Sequence, residues 1–525
     1  MKPAAGLSAL ALIASLSMTS PAQAPPTCST NTTVTTDTGP VCGTAKDGVR
    51  TWLGIPYAAP PVGPLRWAPP ERHAPWKDPL NAVERGSPCP QADLLGQPSE
   101  NEDCLKLNVT APADAAGGPL AVMVEFHGGG FRFGAPSDAS YLVRTGRVLH
   151  VGVGYRLGIF GFLSHRSFGR YAGNYALRDQ QEALRWVKRN IAAFGGDPGN
   201  VTIFGASAGG SSVCAHVASP TAKGLFQKGI SQSGEYNSVR GVNTVWQPQD
   251  CKSDLPTQEE AQRAGSRFAA ALGCPDGPGA AACLRAVPVK KLLDQSGDGL
   301  AGDRGTIAPI VDGQVLTASP AEAFARGQVN DVALMHGVGR DEVQLPMATT
   351  EEEYRTLVRQ QYGQRADQVF ARYPLARYPD PAAFIAYRTI VADSNSVCPA
   401  LQVDERLARH LRVFAYEVDN ADAPPLFFLD PTKPNGAFHI SEVPFLYSAL
   451  EDSSANQRSF GRQLIAQWTG FARTGDPTVD GTPYWPRFTR ADPAVMSLVP
   501  AGDSVASREI GRQHQCAFWN GKEAA

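Results

Sequence analysis

The sequence predicts an α/β fold in which a mostly parallel central sheet is covered by helices on both faces. Three observations predict it. Strand-like and helix-like segments alternate between residues 121 and 234, the order that builds parallel sheets with right-handed crossovers. The strand segments are nearly continuous apolar runs, such as Ala121-Val122-Met123-Val124-Glu125-Phe126, as strands buried on both faces are. Finally, Val201-Thr202-Ile203-Phe204 runs into Gly205-Ala206-Ser207-Ala208-Gly209. A Gly-x-Ser-x-Gly turn between a strand and a helix holds its serine on a sharp bend with the hydroxyl presented outward, and glycines at 205 and 209 leave room for neighbouring strands to pass.

In chain order, Met1-Lys2, an apolar run from Leu7 to Leu16 and the small-residue stretch Pro21-Ala22-Gln23-Ala24 describe a secretory signal over residues 1–24, too short to span a bilayer. Residues 25–47 read as a loose Thr/Pro-rich arm, and a proline-dense run from Pro60 to Pro70 reads as irregular covering structure. After the 121–126 strand comes His127-Gly128-Gly129-Gly130-Phe131, then a second strand over 148–155. Leu177, Leu184, Val187, Ile191 and Phe194 recur at helical spacing, so 175–194 is a predicted helix, stopped by Gly195-Gly196-Asp197-Pro198. The serine turn opens a helix over 207–218, and 229–234 is the next strand. Residues 332–337 and 411–418 are expected as the last two sheet strands. Insertions near 235–325 and 345–410 interrupt the alternation. The mature chain, 25–525, is thus expected to be one catalytic domain.

The 525 residues are 42% hydrophobic and 19% charged, with a formal net charge of −2. This near-neutral balance gives no reason to expect a nucleic-acid partner or an anionic membrane surface, and no later segment approaches the ~20 apolar residues of a transmembrane helix. Monomer is the default expectation. Ten cysteines suit export and disulfides; none has metal-site spacing. Cys89 with Cys104, and Cys274 with Cys283, would close short local loops, while Cys214, on the helix after the serine, is the first candidate for a buried free thiol. Sequons stand at Asn31, Asn108 and Asn200.

A serine nucleophile at neutral pH needs a base, a group to orient that base and donors for the developing oxyanion. The His127–Gly130 turn follows a strand upstream of the serine, where glycine lets backbone N–H groups face a substrate. With the Ala208 N–H, those of Gly129 and Gly130 would form a three-donor hole. Among nine histidines, His439 follows the 411–418 strand and its loop, where a catalytic loop at the sheet edge would lie. Asp341 and Glu342 follow the 332–337 strand and are the candidate acids. The order Ser207, acid, His439 suits a serine hydrolase built around such a turn. His216, His336 and His514 are read as structural.

Further stretches carry a resemblance: Leu53-Gly54-Ile55-Pro56-Tyr57-Ala58, Pro61-Val62-Gly63-Pro64-Leu65-Arg66, Glu102-Asp103-Cys104-Leu105-Lys106-Leu107-Asn108-Val109, the three-glycine turn, and Phe194-Gly195-Gly196-Asp197-Pro198. With these, nearly the whole mature chain resembles the type-B carboxylesterases of the α/β-hydrolase fold, the family of cholinesterases and bacterial p-nitrobenzyl esterases. The resemblance implies Ser207 as nucleophile, Glu342 rather than Asp341 as acid, and His439 as base. It also implies the disulfides Cys89–Cys104, Cys274–Cys283 and Cys398–Cys516, with Cys28–Cys42 and Cys214–Cys251 as inferred extras.

Two departures bear on substrate. The family usually has Glu immediately before the serine, where this chain has Ala206. Cholinesterases carry a cation-binding tryptophan inside the first disulfide loop, and no tryptophan lies between Cys89 and Cys104. Choline esters are therefore not the expected substrates. The expectation is a secreted or periplasmic serine carboxylesterase acting on a small-molecule ester through an acyl-enzyme, with no metal or cofactor. The alternatives are a catalytically silent adhesion or scaffold protein on this fold, and an amidase or peptidase on the same triad.

Overall fold

A computed structural model describes residues 28–93, 97–114, 118–236, 249–297, 307–342, 347–426 and 429–521. The expected signal at 1–24 and parts of both expected insertions lie outside the described residues. Among the described residues, eleven strands form one sheet: β1 (Thr44–Lys46), β2 (Val49–Pro56), β3 (Lys106–Pro112), β4 (Leu120–Phe126), β5 (Leu149–Val153), β6 (Gly196–Ala206), β7 (Lys228–Gln232), β8 (Ala333–Gly339), β9 (Arg412–Val418), β10 (Val495–Leu498) and β11 (Val505–Ser507). Their spatial order is β11-β10-β9-β8-β7-β6-β4-β5-β3-β2-β1. Every pairing from β10 across to β5 is parallel, and those at the two margins are antiparallel. A small three-stranded sheet (Thr33–Thr35, Pro40–Cys42, Leu80–Asn81) lies apart from it.

The sheet runs further than the sequence reading placed it. The strands at 332–337 and 411–418 are not the last two, because β10 continues the parallel register and β11 closes that edge antiparallel. At four and three residues, these strands are too short to show a period-2 signature. β2 and β3 went unassigned in the sequence because proline-rich and irregular stretches separate them from the regular alternation.

Helices α1 (Tyr175–Asn190) and α2 (Ala208–Ala218) flank β6 in sequence; α3 (Cys398–Leu407) leads into β9, and α4 (Ala455–Thr474) lies between β9 and β10. The apolar stripe expected on 175–194 is buried. Its last turn tightens into a 3-10 turn at Ile191–Phe194, which Gly195 ends at φ 95°. Period-2 geometry sends Val122, Val124 and Phe126 of β4 into one core with Leu177, Leu184, Val213 and Val217, and Met123 into a second with Phe204, Leu464 and Trp468. The centre of the sheet is thus covered on both faces.

The ten cysteines are placed as five pairs: Cys28–Cys42, Cys89–Cys104, Cys214–Cys251, Cys274–Cys283 and Cys398–Cys516. Cys214, the candidate free thiol, has Cys251 as its partner. Asn108 is buried within β3 and accepts the Gly54 N–H at 2.9 Å, so its sequon is closed to modification in the folded chain. Among the described residues, no helix is long and apolar enough to cross a membrane.

Candidate active site

The carboxyl ends of β4, β6, β7, β8 and β9 share one edge of the sheet, the edge where open α/β sheets place their ligands. Ser207 stands between β6 and α2, at φ 58° and ψ −123°. An L-residue adopts this backbone only under strain. The glycines around it are required by contact: a Cβ at Gly205 would stand 2.2 Å from the Phe126 carbonyl oxygen and one at Gly209 2.0 Å from the same atom, while one at Gly210 would meet the Gln232 carbonyl at 2.7 Å. The bend therefore fits between the ends of β4 and β7, and the Ser207 N–H donates to the Gln232 carbonyl at 2.9 Å.

Glu342 lies three residues beyond β8, fully buried, and its Oε1 accepts the Gly339 N–H at 2.9 Å. Its Oε2 stands 2.5 Å from His439 Nδ1. Asp341, the other candidate acid, faces away: it pairs with Arg388 at 2.8 Å and accepts the Ala437 N–H at 3.0 Å. His439 precedes Ile440, a β-branched residue at φ 58°, so its loop is bent as sharply as the serine turn. Burial disfavours the charged form of His439, but the Glu342 carboxylate, through charge and hydrogen bond, outweighs this and holds the imidazole pKa above its ordinary value, with Glu442 adding to the effect. The His439 ring lies 5.4 Å from that of Tyr236, just past β7.

The glycine turn comes close to the serine. A Cβ at Gly128 would lie 2.8 Å from the Ala206 carbonyl and 3.3 Å from Ser207 Cβ. Gly129 and Gly130 both have positive φ, 104° and 60°, which reverses the chain directly above the end of β4. The turn is held by Tyr155, whose hydroxyl donates to the His127 carbonyl at 2.6 Å and whose ring stacks on the His127 imidazole at 4.3 Å. Burial lowers the pKa of His127 below the ordinary value. Gln91, inside the Cys89–Cys104 loop, accepts the Gly134 N–H at 2.7 Å and so ties that loop to the turn.

A sequence model of the Carboxylesterase family matches residues 30–519.

The chain belongs to the carboxylesterase family.

This carboxylesterase is 35% identical over 488 residues to the para-nitrobenzyl esterase of Bacillus subtilis (strain 168), covering 87% of this chain and 93% of the relative. It is 33% identical to the acylcarnitine hydrolase of Mus musculus, over 84% of this chain and 82% of that one. Among solved structures, a thermophilic PNB esterase superimposes with a TM-score of 0.76 at 32% identity, covering 93% of this chain and all of the other. The α/β-hydrolase fold and carboxylic ester hydrolysis follow for this carboxylesterase.

Three residues near the site escaped the sequence reading. Gln232 joins its two halves: its carbonyl takes the Ser207 N–H, and its Nε2 donates to Glu442 Oε1 at 3.0 Å. Glu442 is fully buried three residues after His439. Burial pushes its carboxyl pKa up; the Gln232 bond opposes this and the Glu342 carboxylate adds to it. The third is Tyr236, beside His439. No local motif marks any of them; Gln232 and Tyr236 are brought to the site by tertiary packing, and Glu442 follows His439 in its loop. The histidines read as structural are all buried in polar contacts: His216 meets Gln180 at 2.8 Å and burial holds its pKa down to about 3, His336 lies between Asp404 and Glu235, and His514 between Asp393 and Glu417.

Proposed function

We propose that this chain is an exported serine carboxylesterase, a single catalytic domain from residue 25 onward, in which Ser207 is the nucleophile, His439 the base and Glu342 the group that orients it. The observation that carries this reading is the Glu342–His439 contact of 2.5 Å at the sheet edge that also holds Ser207 on its strained turn. In this mechanism, His439 Nε2 takes the Ser207 proton as Oγ attacks the ester carbonyl. The oxyanion is met by the N–H groups of Gly129, Gly130 and Ala208, each such donor being worth about 3–4 kcal/mol of barrier lowering. Glu342 accepts the Nδ1–H and stabilises the imidazolium, which then protonates the leaving alcohol. Water, deprotonated by His439, releases the acid. Export is supported by the leader-like N-terminal sequence and the five cysteine pairs.

The test is initial rates on p-nitrophenyl esters from acetate to palmitate, beside Ser207→Ala. The expected result is turnover by the wild type that vanishes in the variant, with the best chain length sizing the acyl pocket. Equal rates in both proteins would overturn the assignment of the nucleophile.

A further inference from the structure

A second serine–histidine–aspartate relay is built from residues that the proposed mechanism does not use. His165 caps the 3-10 turn Arg166–Tyr171, and its Nδ1 lies 2.7 Å from Ser167 Oγ. The Ser167 backbone N–H reaches the same nitrogen at 3.2 Å. An amide N–H can only donate, so Nδ1 carries the lone pair and Nε2 the proton. Nε2 stands 2.8 Å from Asp276 Oδ1, an acid 111 residues further along the chain.

The relay is held in place from two sides. The helix Gln258–Ala271 presses on the chain just before His165: a Cβ at Gly265 would stand 1.9 Å from the Ser164 carbonyl oxygen. From the same helix, Gln258 Nε2 donates to Ser164 Oγ and to the Ala172 carbonyl, both at 2.9 Å, and Ser266 donates to Asp276 Oδ1 at 3.0 Å. Asp276 itself lies inside the loop closed by Cys274–Cys283. Hydrogen bonds from Ser266 and His165 hold its carboxyl below the usual carboxylate range, so it stays an acceptor. Towards the other side, the Phe168 ring lies 5.7 Å from the His165 imidazole and stacks on Trp67 at 5.0 Å. His165 is buried, whereas Ser167 is half-buried, so the base is enclosed while the serine keeps access to solvent. Capping the turn needs only the Ser167 N–H; neither the hydroxyl nor Asp276 takes part in it. A serine O–H directed at an imidazole lone pair, with the opposite N–H on a carboxylate, is the arrangement that activates a nucleophile.

We propose that Ser167 is a second nucleophile of this protein, activated by His165 Nδ1, and that it accepts small acyl groups from aryl esters. Ser167 Oγ bonds to the carbonyl carbon as its proton passes to Nδ1. The bond from that carbon to the phenolic oxygen then breaks, the phenolate leaves, and the imidazolium returns its proton to solvent. Asp276 accepts the Nε2–H throughout and stabilises the imidazolium. Phenolates leave without an added proton, so an aryl ester is the donor class that such a site can use unaided.

The Ser207→Ala protein is incubated with p-nitrophenyl acetate, and acetylation is followed serine by serine by mass spectrometry of its peptides. Ser167 is expected to be acetylated about 10²-fold faster than the chain's other serines, the contribution of a positioned general base. Those serines are an internal control, so the first readout needs no variant of the relay itself. Adding His165→Gln is expected to bring Ser167 down to their rate. Asp276→Asn is expected to lose most of the excess and Asp276→Glu to recover it, which a purely structural role for the acid would not predict. Acetylation of Ser167 no faster than that of the other serines, or a rate unmoved by His165→Gln, overturns the proposal. The label is read on Ser167 itself, so the outcome does not depend on the role assigned to Ser207.

Discussion

At the scale of single residues, the proposed roles make the pairing of Glu342 with His439 the contact that sets the pH at which the base is available. In the proposed mechanism the neutral imidazole is the active form, and its folded-state pKa is raised above the ordinary value. Activity is therefore expected to be lost as pH falls through a limb lying above about 6.5. Replacing Glu342 by Gln removes the charge that raises the pKa, so the limb in kcat/KM should move to lower pH. At the plateau, kcat should fall by about 10⁴, since the amide no longer holds the correct tautomer. A pH–rate profile of the two proteins checks both, and an unmoved limb would sink the assignment. The same scale shows what the sequence could reveal. Ser207 and the glycine turn were legible because each chemistry needs its residues adjacent in the chain. Gln232 and Tyr236 were not, since the end of β7 brings them to the site from a distant part of the chain, and Glu442, though only three residues after His439, belongs to no motif.

Elements, in turn, are limited by how closely they must pass. Gly209 allows α2 to start under the end of β4; an added methyl would stand 2.0 Å from the Phe126 carbonyl, a backbone atom that cannot rotate away. Gly209→Ala should cost at least about 2 kcal/mol by overpacking, seen as a lower denaturation midpoint in urea. Gly128→Ala meets a milder backbone clash, its methyl 2.8 Å from the Ala206 carbonyl, and also crowds the serine, 3.3 Å from its Cβ. It should lower kcat on p-nitrophenyl acetate far more than it lowers the midpoint. Strands β4, β8 and β9 were readable because burial on both faces makes them apolar runs, and β5, β6 and β7 because they alternate with them and with the helices. The margins were not: β10 and β11 are brief, and their pairing partners, not their composition, make them strands.

For the molecule as a whole, long-range connections decide what holds the folded chain together. Cys398–Cys516 spans 118 residues and Cys274–Cys283 only 9. Chain entropy assigns about 5 and about 2.5 kcal/mol to loops of these lengths. Cys398→Ser/Cys516→Ser should therefore lower Tm more than Cys274→Ser/Cys283→Ser, as calorimetry would show. His514 also fastens the C-terminal region to the body, through Asp393 and Glu417 at 2.5 and 2.8 Å. Burial opposes its charge, but the two carboxylates raise its pKa well above the ordinary value. A raised folded-state pKa contributes stability that is full below the unfolded value, near 6.5, and is lost as pH rises through the folded one. Wild type should thus lose Tm towards alkaline pH, and His514→Gln should narrow that loss. The backbone of Ser207 has a consequence on the timescale of descent. A copy of this gene released from selection for hydrolysis would gain stability by exchanging Ser207 for glycine, which adopts φ 58° without the cost of about 1–2 kcal/mol borne by other residues. Selection for stability would then favour descendants that keep the scaffold and lose Ser207.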